Sequence, residues 1–408
     1  MAYSPADASP RVSLYDDAAH GPNTMIRSVV PVFDLVSPKE LPFLKFISGG
    51  DENSPGLNSL SEPCVSNKYE WLEEQDAPLV SAVHGSTAVT TTGGANTTSV
   101  YVASTTAARY FRTGDVIQID TEQMWVSAIN TTTMVLTVTR EWGGTTGAAH
   151  STGAVVTIIG RAHPEGAVSP DDLTQLGTMP YNYVQEFAAS FKMSDIEQSV
   201  RRYGRASAVE QETDRKTREL LRRMERQALF GLRVLGVAAT PTPAAFGGLP
   251  QYIPAANKYT PAGGNLTKAL LNTYLGSVFA ESGMAGMPDT LLVSGFGRGI
   301  ISQLYTGTSG TYMTWRDQAD PIGGTVIERV RTDLAELQVV TVNDLPTGTM
   351  FAVKKDRLGI GPLRGEELRR VLLAKTGTSD QYMIYGSYTM QVRNSPSHFM
   401  MSGITGIA

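Results

Sequence analysis

Between Ser207 and Gly231 the sequence argues for a single long helix. Ser207-Ala208-Val209-Glu210 has the pattern of a capping box, in which hydroxyl and carboxylate satisfy the first orphan backbone amides reciprocally. Glu212/Lys216, Asp214/Arg218 and Glu219/Arg223 place acid before base at i,i+4. Acidic residues at the start and arginines at the end suit the helix dipole, and Gly231 offers a stop. The apolar stripe of Val209, Leu220, Met224 and Ala228 is thin, with Thr213 and Thr217 between. At 1.5 Å per residue such a helix is about 37 Å long. So narrow a stripe implies that one face rests on a sheet while the rest stays wet or meets another chain.

The matching sheet element is near the C-terminus. Gln381–Asn394 alternates, with Tyr382, Ile384, Tyr388, Met390 and Val392 on one face and Gln381, Ser387, Thr389, Gln391 and Arg393 on the other. A strand of this length reaches roughly 43 Å, so helix and strand are expected side by side as one elongated platform. Between them, residues 245–375 read as a mixed α/β unit. It has helices at Asn265–Gly283 and Phe296–Tyr305 and strands at Thr290–Ser294, Thr325–Arg331, Gln338–Val342 and Thr349–Val353.

Two other regions differ in composition. Residues 1–63 hold eight of the 22 prolines, which disfavours regular helices and central strands there. Yet Met25, Ile26, Val29, Val30, Val32, Phe33, Leu35, Leu41, Phe43, Leu44, Phe46 and Ile47 are apolar. An extended arm carrying that surface is expected to bury it outside itself; the alternative is a loosely packed start to the first domain. Residues 84–160 contain 19 threonines, no lysine and no proline. Short β-type runs at Val100–Ala103, Asp115–Ile119, Met124–Ile129, Met134–Arg140 and Ala154–Ile159 alternate with turn signals, which predicts an inserted all-β module. Its flanks, around Lys68–Glu74 and Tyr181–Met193, are expected to be the arms of one long hairpin.

Chemistry-bearing motifs are weak. None of His20, His84, His150, His163 and His398 stands at metal-ligand spacing from another histidine or beside a cysteine, so neither a metal nor a cofactor is expected. Gly295-Phe296-Gly297-Arg298-Gly299 follows a strand and opens a helix, but Ile300 stands where a dinucleotide fingerprint needs its third glycine. Phosphate-loop and nucleophile-elbow patterns are missing, and Gly307–Thr311 is not one. The single cysteine, Cys64, excludes an intrachain disulfide and has no basic neighbour to activate it. No apolar run is long enough to span a membrane. The first residues lack the order of a signal peptide, so the expectation is a protein kept in a reducing cytoplasm.

Charge is more informative. The net charge of −5 argues against electrostatic coating of nucleic acid by the whole chain. Residues 1–80 carry 5 basic and 12 acidic residues (−7), whereas residues 201–226 carry 9 and 5 (+4). Glu70, Glu73, Glu74 and Asp76 on the hairpin arm thus match the helix arginines, unless each set is merely a solvated face.

Arm, hairpin, long charged helix, mixed α/β unit and returning strand, in that order, resemble the major capsid proteins of tailed double-stranded DNA viruses of bacteria and archaea, with their Hong Kong 97-type fold. The segment Leu373-Ala374-Lys375-Thr376-Gly377-Thr378-Ser379-Asp380, leading through Tyr382–Arg393 to Asn394-Ser395-Pro396-Ser397-His398, looks like that family's terminal peripheral strand. Ser207–Gly231 is placed like its spine helix. Thr137–Thr146, with Pro164-Glu165-Gly166, is similar to the β insertion of one branch.

The resemblance implies an α+β chain. Residues 1–63 would be the N-terminal arm and 64–83 with 161–200 an extended hairpin loop, interrupted by an all-β domain at 84–160. Residues 201–244 and 376–408 would form a peripheral domain, and 245–375 an axial domain. It further implies a non-enzymatic shell subunit that assembles in the host cytoplasm into hexamers and pentamers of a virion capsid. The shell would enclose double-stranded DNA without sequence-specific binding, and no membrane takes part. A separate scaffolding protein and a portal are expected partners, with a decoration protein as a further candidate. Subunit contacts would involve Trp71, Glu73, Glu74 and Asp76 against Arg215, Lys216, Arg222 and Arg226. Some relatives crosslink a lysine to an asparagine, but no motif here selects Lys68 or Lys192 with Asn394. An encapsulin-like cellular compartment and a nucleotide-binding α/β enzyme stay open as alternatives.

Overall fold

The computed structural model describes residues 41–49, 57–74, 79–84, 91–92, 95–96, 98–163, 165–166, 177–200, 207–237, 242–306, 328–375 and 377–407. Helix and strand are mixed throughout, and the chain divides into two compact units. One comprises residues 1–71 and 181–408 and the other Leu72–Pro180.

In the first unit the long helix runs Ala208–Phe230. Ser207 caps it, its hydroxyl accepting from the Glu210 amide at 3.4 Å. Gly231 ends it without a left-handed turn; a Cβ there would lie 2.4 Å from the Gln227 carbonyl oxygen, so close approach is what demands glycine. Leu220, Leu221, Met224, Ala228 and Leu229 are buried, all in the second half of the helix. They meet Ile384, Tyr388, Met390 and Val392 of the strand Ser379–Val392 in one core. Fully burying a side chain of this size contributes about 1.5–3 kcal/mol, so these contacts hold the platform together.

The platform sheet has Ser379–Val392 at its centre. Gln185–Ser194 lies antiparallel on one side, while Arg369–Leu372 and Leu358–Pro362 share the other. Two segments therefore sit elsewhere than expected. Gln185–Ser194 belongs to this sheet rather than to a projecting hairpin, because Phe187, Phe191 and Met193 alternate toward a buried face. Leu358–Leu372 joins it too, although its position within 245–375 suggested the mixed unit. The far face of the central strand is also covered. Gln391 Oε1 accepts from the Ser61 amide and hydroxyl (3.3 and 2.9 Å), and the Thr389 hydroxyl donates to the Tyr183 carbonyl at 3.0 Å.

Residues Pro42–Ser48 form a helix, contrary to the reading of the first 63 residues as an arm without regular structure. Pro42 stands in the first turn, where its missing amide costs nothing, and Gly49 (φ 71°) closes the helix with its amide on the Lys45 carbonyl at 2.8 Å. Phe43, Leu44, Phe46 and Ile47 bury themselves in the subunit's own core, not outside it. Residues 1–40 lie outside the described residues.

A second, six-stranded sheet has the order Lys258–Tyr259, Phe399–Met401, Met350–Val353, Thr290–Val293, Glu336–Thr341, Arg329–Arg331. It carries the helices Lys268–Ser282 and Gly295–Thr306 and a separate core around Leu271, Leu275, Leu291 and Phe399. Phe399–Met401, expected with the platform, belongs here because it pairs with Met350–Val353.

In the second unit, six strands follow the order Val80–Ala82, Val155–Arg161, Asp115–Ile119, Glu122–Asn130, Val135–Thr139, Ser99–Tyr101. A bridge between Val83 and Val102 joins the first strand to the last, so the sheet closes into a barrel. Ile117, Ile119, Met124, Val126, Leu136 and Val156 fill it. The five β-type runs read from the sequence all fall on strands; Val80–Ala82, ahead of residue 84, completes the ring.

Candidate subunit interface

Half of the long helix lies outside the core and presents its charges outward. Arg215 is 70% exposed and 3.7 Å from Glu212. Lys216 meets Glu219 at 2.9 Å, and Arg223 reaches the same carboxylate. The Lys216 ammonium, seconded by the arginines, holds the Glu219 carboxyl below the usual range. Arg222 forms a two-pronged contact with Asp344 at 3.2 and 3.0 Å. Arg226 is exposed and forms no ion pair with a described residue. Lys216 and Arg222 are thus already engaged within the chain, which leaves Arg215 and Arg226 as the freer cations.

The acidic side departs further from expectation. Trp71 is not available to another subunit: it is buried between Tyr69 and Tyr252, with ring centroids 6.2 and 5.7 Å away. Its bulk serves a small internal core with Cys64 and Val184. The Glu73 backbone exchanges hydrogen bonds with Thr178 at 2.9 and 2.8 Å, Glu74 is exposed, and Asp76 lies outside the described residues. Lys68–Glu70 pairs antiparallel with Tyr181–Tyr183.

Residues with chemical potential are held in structural roles. In the Gly295 turn, the Ser294 hydroxyl accepts from the Gly297 amide at 3.1 Å and its carbonyl accepts from the Arg298 amide at 2.8 Å. Those donors are therefore turned away from any phosphate. Cys64 is buried, which pushes its thiol up in pKa, and it donates to the Ser66 carbonyl. His150 is buried in the barrel between Asp120 (2.8 Å) and Glu122 (2.9 Å). Glu122 also accepts from Arg140 at 2.9 Å and from the Ala148 amide at 3.0 Å. Burial alone would raise the Glu122 pKa; Arg140, Ala148 and His150 outweigh it and bring it down to about 2. Among the described residues no cluster of His, Cys, Asp or Glu could hold a metal ion, and no helix is long and apolar enough to cross a membrane.

Sequence reasoning missed the uncovered apolar groups at the platform's ends. Leu232, Val234, Leu235 and Val237 follow the helix and are exposed. Ile196, Val200 and Leu372 are exposed at the other end. The signal for the first group was legible, since the run Leu232-Arg233-Val234-Leu235-Gly236-Val237 directly follows the helix-ending glycine.

Exposed arginines together with uncovered apolar ends are what a building block of a larger assembly presents. A family model described as SU10 major capsid protein matches residues 15–405, and the chain belongs to that family. It is a major capsid protein, a structural component of the virion shell that assembles from copies of itself. No curated protein sequence matches the chain. Among solved structures, it is similar to the capsid of a native GTA particle, with 10% identity and a TM-score of 0.49 over 97% of this chain and 100% of that one. Lesser similarity is found to Mycobacterium phage Patience (14% identity, TM-score 0.42, 59% of this chain and 75% of that one). The SrpI encapsulin complex from Synechococcus elongatus PCC 7942 is similar at 11% identity and TM-score 0.39, over 57% and 78% of the two chains.

Proposed function

We propose that this capsid protein has the Hong Kong 97-type arrangement and builds an icosahedral shell of hexamers and pentamers around double-stranded DNA. In this reading Ala208–Phe230 is the spine helix, the platform sheet is the peripheral domain, the six-stranded sheet is the axial domain, and the barrel is an insertion within the hairpin loop. The subunit has no enzymatic turnover; it assembles in the host cytoplasm with a separate scaffolding protein and portal, and a decoration protein is a candidate outer partner. A net charge of −5 suits a wall that encloses DNA without gripping phosphates. The family match favours the viral shell over a cellular compartment. The engaged donors of the Gly295 turn disfavour a nucleotide enzyme.

The observation that carries the contact model is the outward arginine face of the long helix, with Arg215 and Arg226 exposed. The acidic partner is the hairpin arm of a neighbour, through Glu73 and Glu74 and, by sequence, Asp76. Such exposed pairs contribute only about 0–1 kcal/mol each, so they set register more than affinity. Replacing Arg215 and Arg226 by glutamate should leave a folded subunit that assembles poorly or into misshapen particles, read by sedimentation and electron microscopy. Normal shells from that variant would remove the arm-to-helix pairing. Arg222 is left intact in this test because its reversal would also break the internal contact with Asp344.

A further inference from the structure

Gln185–Ser194 is an edge strand of the platform sheet. It pairs with the central strand on one side, in a register that runs without a bulge from Gln185↔Tyr388 to Ser194↔Ser379. The phase of that ladder fixes which backbone groups face outward. The Asp195 amide donates to the Thr378 carbonyl at 3.1 Å, so in the same register the odd-numbered residues of Gln185–Ser194 bond to the central strand. The central strand agrees. Its Gln381 and Ser387 carbonyls, opposite Lys192 and Glu186, accept instead from the Leu373 and Leu363 amides on the other side, at 2.8 Å each. The amides and carbonyls of Glu186, Ala188, Ser190 and Lys192 therefore point away from the sheet, and among the described residues no backbone group bonds to them. All four residues are exposed.

An edge of this length is ordinarily blunted by proline, a bulge or a covering element, because its free donors and acceptors are a template for another strand. Gln185–Ser194 contains neither proline nor glycine. Phe187 and Phe191 anchor it from behind against Phe246 and Tyr382, with ring centroids 5.9 and 5.1 Å apart, so the edge is presented ready-formed.

The strand also complements itself. Set antiparallel to a second copy about Ala189, Glu186 falls opposite Lys192, Phe187 opposite Phe191 and Ala188 opposite Ser190. Opposite charges then meet at both ends of the contact, with small residues between them. Within its own chain neither Glu186 nor Lys192 has an ion-pair partner among the described residues, and their neighbours in the central strand, Ser387 and Gln381, are neutral. Bonding phase and charge select the same centre. About Ala189 the outward-pointing residues meet only one another, each opposed pair exchanging two backbone hydrogen bonds. Moving the centre to Ala188 or Ser190 keeps that phase but breaks both charge pairs. We infer that the Gln185–Ser194 edges of two copies pair antiparallel about a two-fold axis at Ala189, joining the four strands of each platform into one continuous sheet. Such a contact is isologous and links subunits in pairs. It adds a two-fold joint to the shell proposed above, and rests on that reading for its supply of neighbouring copies.

Cysteine substitution in the full-length chain tests it. In this register Ala189 faces its own copy as a non-hydrogen-bonded pair with Cα atoms about 4.5 Å apart, within disulfide range. Ala188 lies diagonal to its own copy at about 7–8 Å, beyond that range. Cys64 is buried and does not compete. Particles of Ala189→Cys, oxidised with copper phenanthroline, should run as covalent dimers on a non-reducing gel, while Ala188→Cys particles run as monomers. Ala189→Cys particles that stay monomeric, or an equal dimer yield from Ala188→Cys, would overturn the pairing and leave the shell intact. Should Ala189→Cys fail to fold, charge reversal decides. Glu186→Lys and Lys192→Glu, taken singly, set like charges across the edge and should lower particle yield several-fold, and the double exchange should restore it. Single variants that assemble normally, or a double variant that stays impaired, would overturn the pairing. If the unsubstituted chain forms no particles, the shell reading falls; a dimer from the oxidised Ala189→Cys chain would then still uphold the pairing, and its absence would overturn that too.

Discussion

Glu225 is a carboxyl in a place that suits its neutral form. It is buried in the platform core, where Oε1 accepts from the Phe43 amide at 3.3 Å and Oε2 finds no partner among the described residues. Burial, with Asp344 nearby, pushes its pKa up to about 7 against the hydrogen bonds of Phe43 and Leu44 and the charge of Arg222. Because the folded value lies above the ordinary 4.5, stability is fully present below about pH 4.5 and declines as pH rises through 7. Glu225→Gln should therefore gain stability at pH 8 relative to the unsubstituted protein, by up to about 3 kcal/mol, and gain little at pH 5. Thermal unfolding at the two pH values reads this, and an equal shift at both would contradict it. His398 behaves oppositely. Its complete burial lowers its pKa to about 4 from 6.5, so stability is kept above pH 6.5 and lost as pH falls through 4. His398→Gln, which keeps a polar side chain but not the titration, should flatten that acid limb in pH-dependent denaturant melts.

The long helix and its strand were legible in the sequence because their signals are local: a cap, a stripe, an alternation. The structure places the buried contacts where the stripe and alternation predicted, from Leu220 to Ala228 and from Ile384 to Val392. Ser207→Ala should cost about 0.5–2 kcal/mol through the lost cap, and Met224→Ala about 2–5 kcal/mol through a core cavity. Arg215→Ala, at an exposed position, should change the unfolding midpoint within error. What was not legible depends on distant partners. Nothing local in Leu358–Pro362 or Phe399–Met401 says which of two sheets each will join; the choice is made by Met390 and Val392 in one case and Met350–Ala352 in the other. The helix at Pro42 is hidden among the prolines because proline forbids a helix interior but favours its first turn, and only Gly49 seven residues on marks the stop. In the barrel, composition exposed the strands, but the carboxylate that anchors Arg140 and His150 could not be picked from the acids around it. Glu122→Gln should destabilise that unit by about 3–5 kcal/mol, since it removes the buried carboxylate charge opposite Arg140; a barrel transition unchanged in calorimetry would contradict this.

At the scale of the molecule, the chain builds its cores in separate places: the platform, the mixed sheet and the barrel each bury their own apolar residues. Among the surfaces it leaves uncovered are the arginine face of the helix and the apolar groups at the two ends of the platform. The candidate contacts were only half legible. Charge patterning located the arginines, but Trp71 turned inward because an indole beside Tyr69 and Tyr252 is worth more in a core than at a rim. The apolar run Leu232–Val237 is legible in the sequence, but its exposure depends on what the body fails to cover, which no local pattern records. The stable form of this chain is a closed shell of many copies. Electron microscopy of the purified full-length protein, with analytical ultracentrifugation of the same sample, tests it most directly. Large closed particles built of six- and five-fold clusters are expected; a folded chain that sediments as a single monomeric species under assembly conditions would rule the shell out.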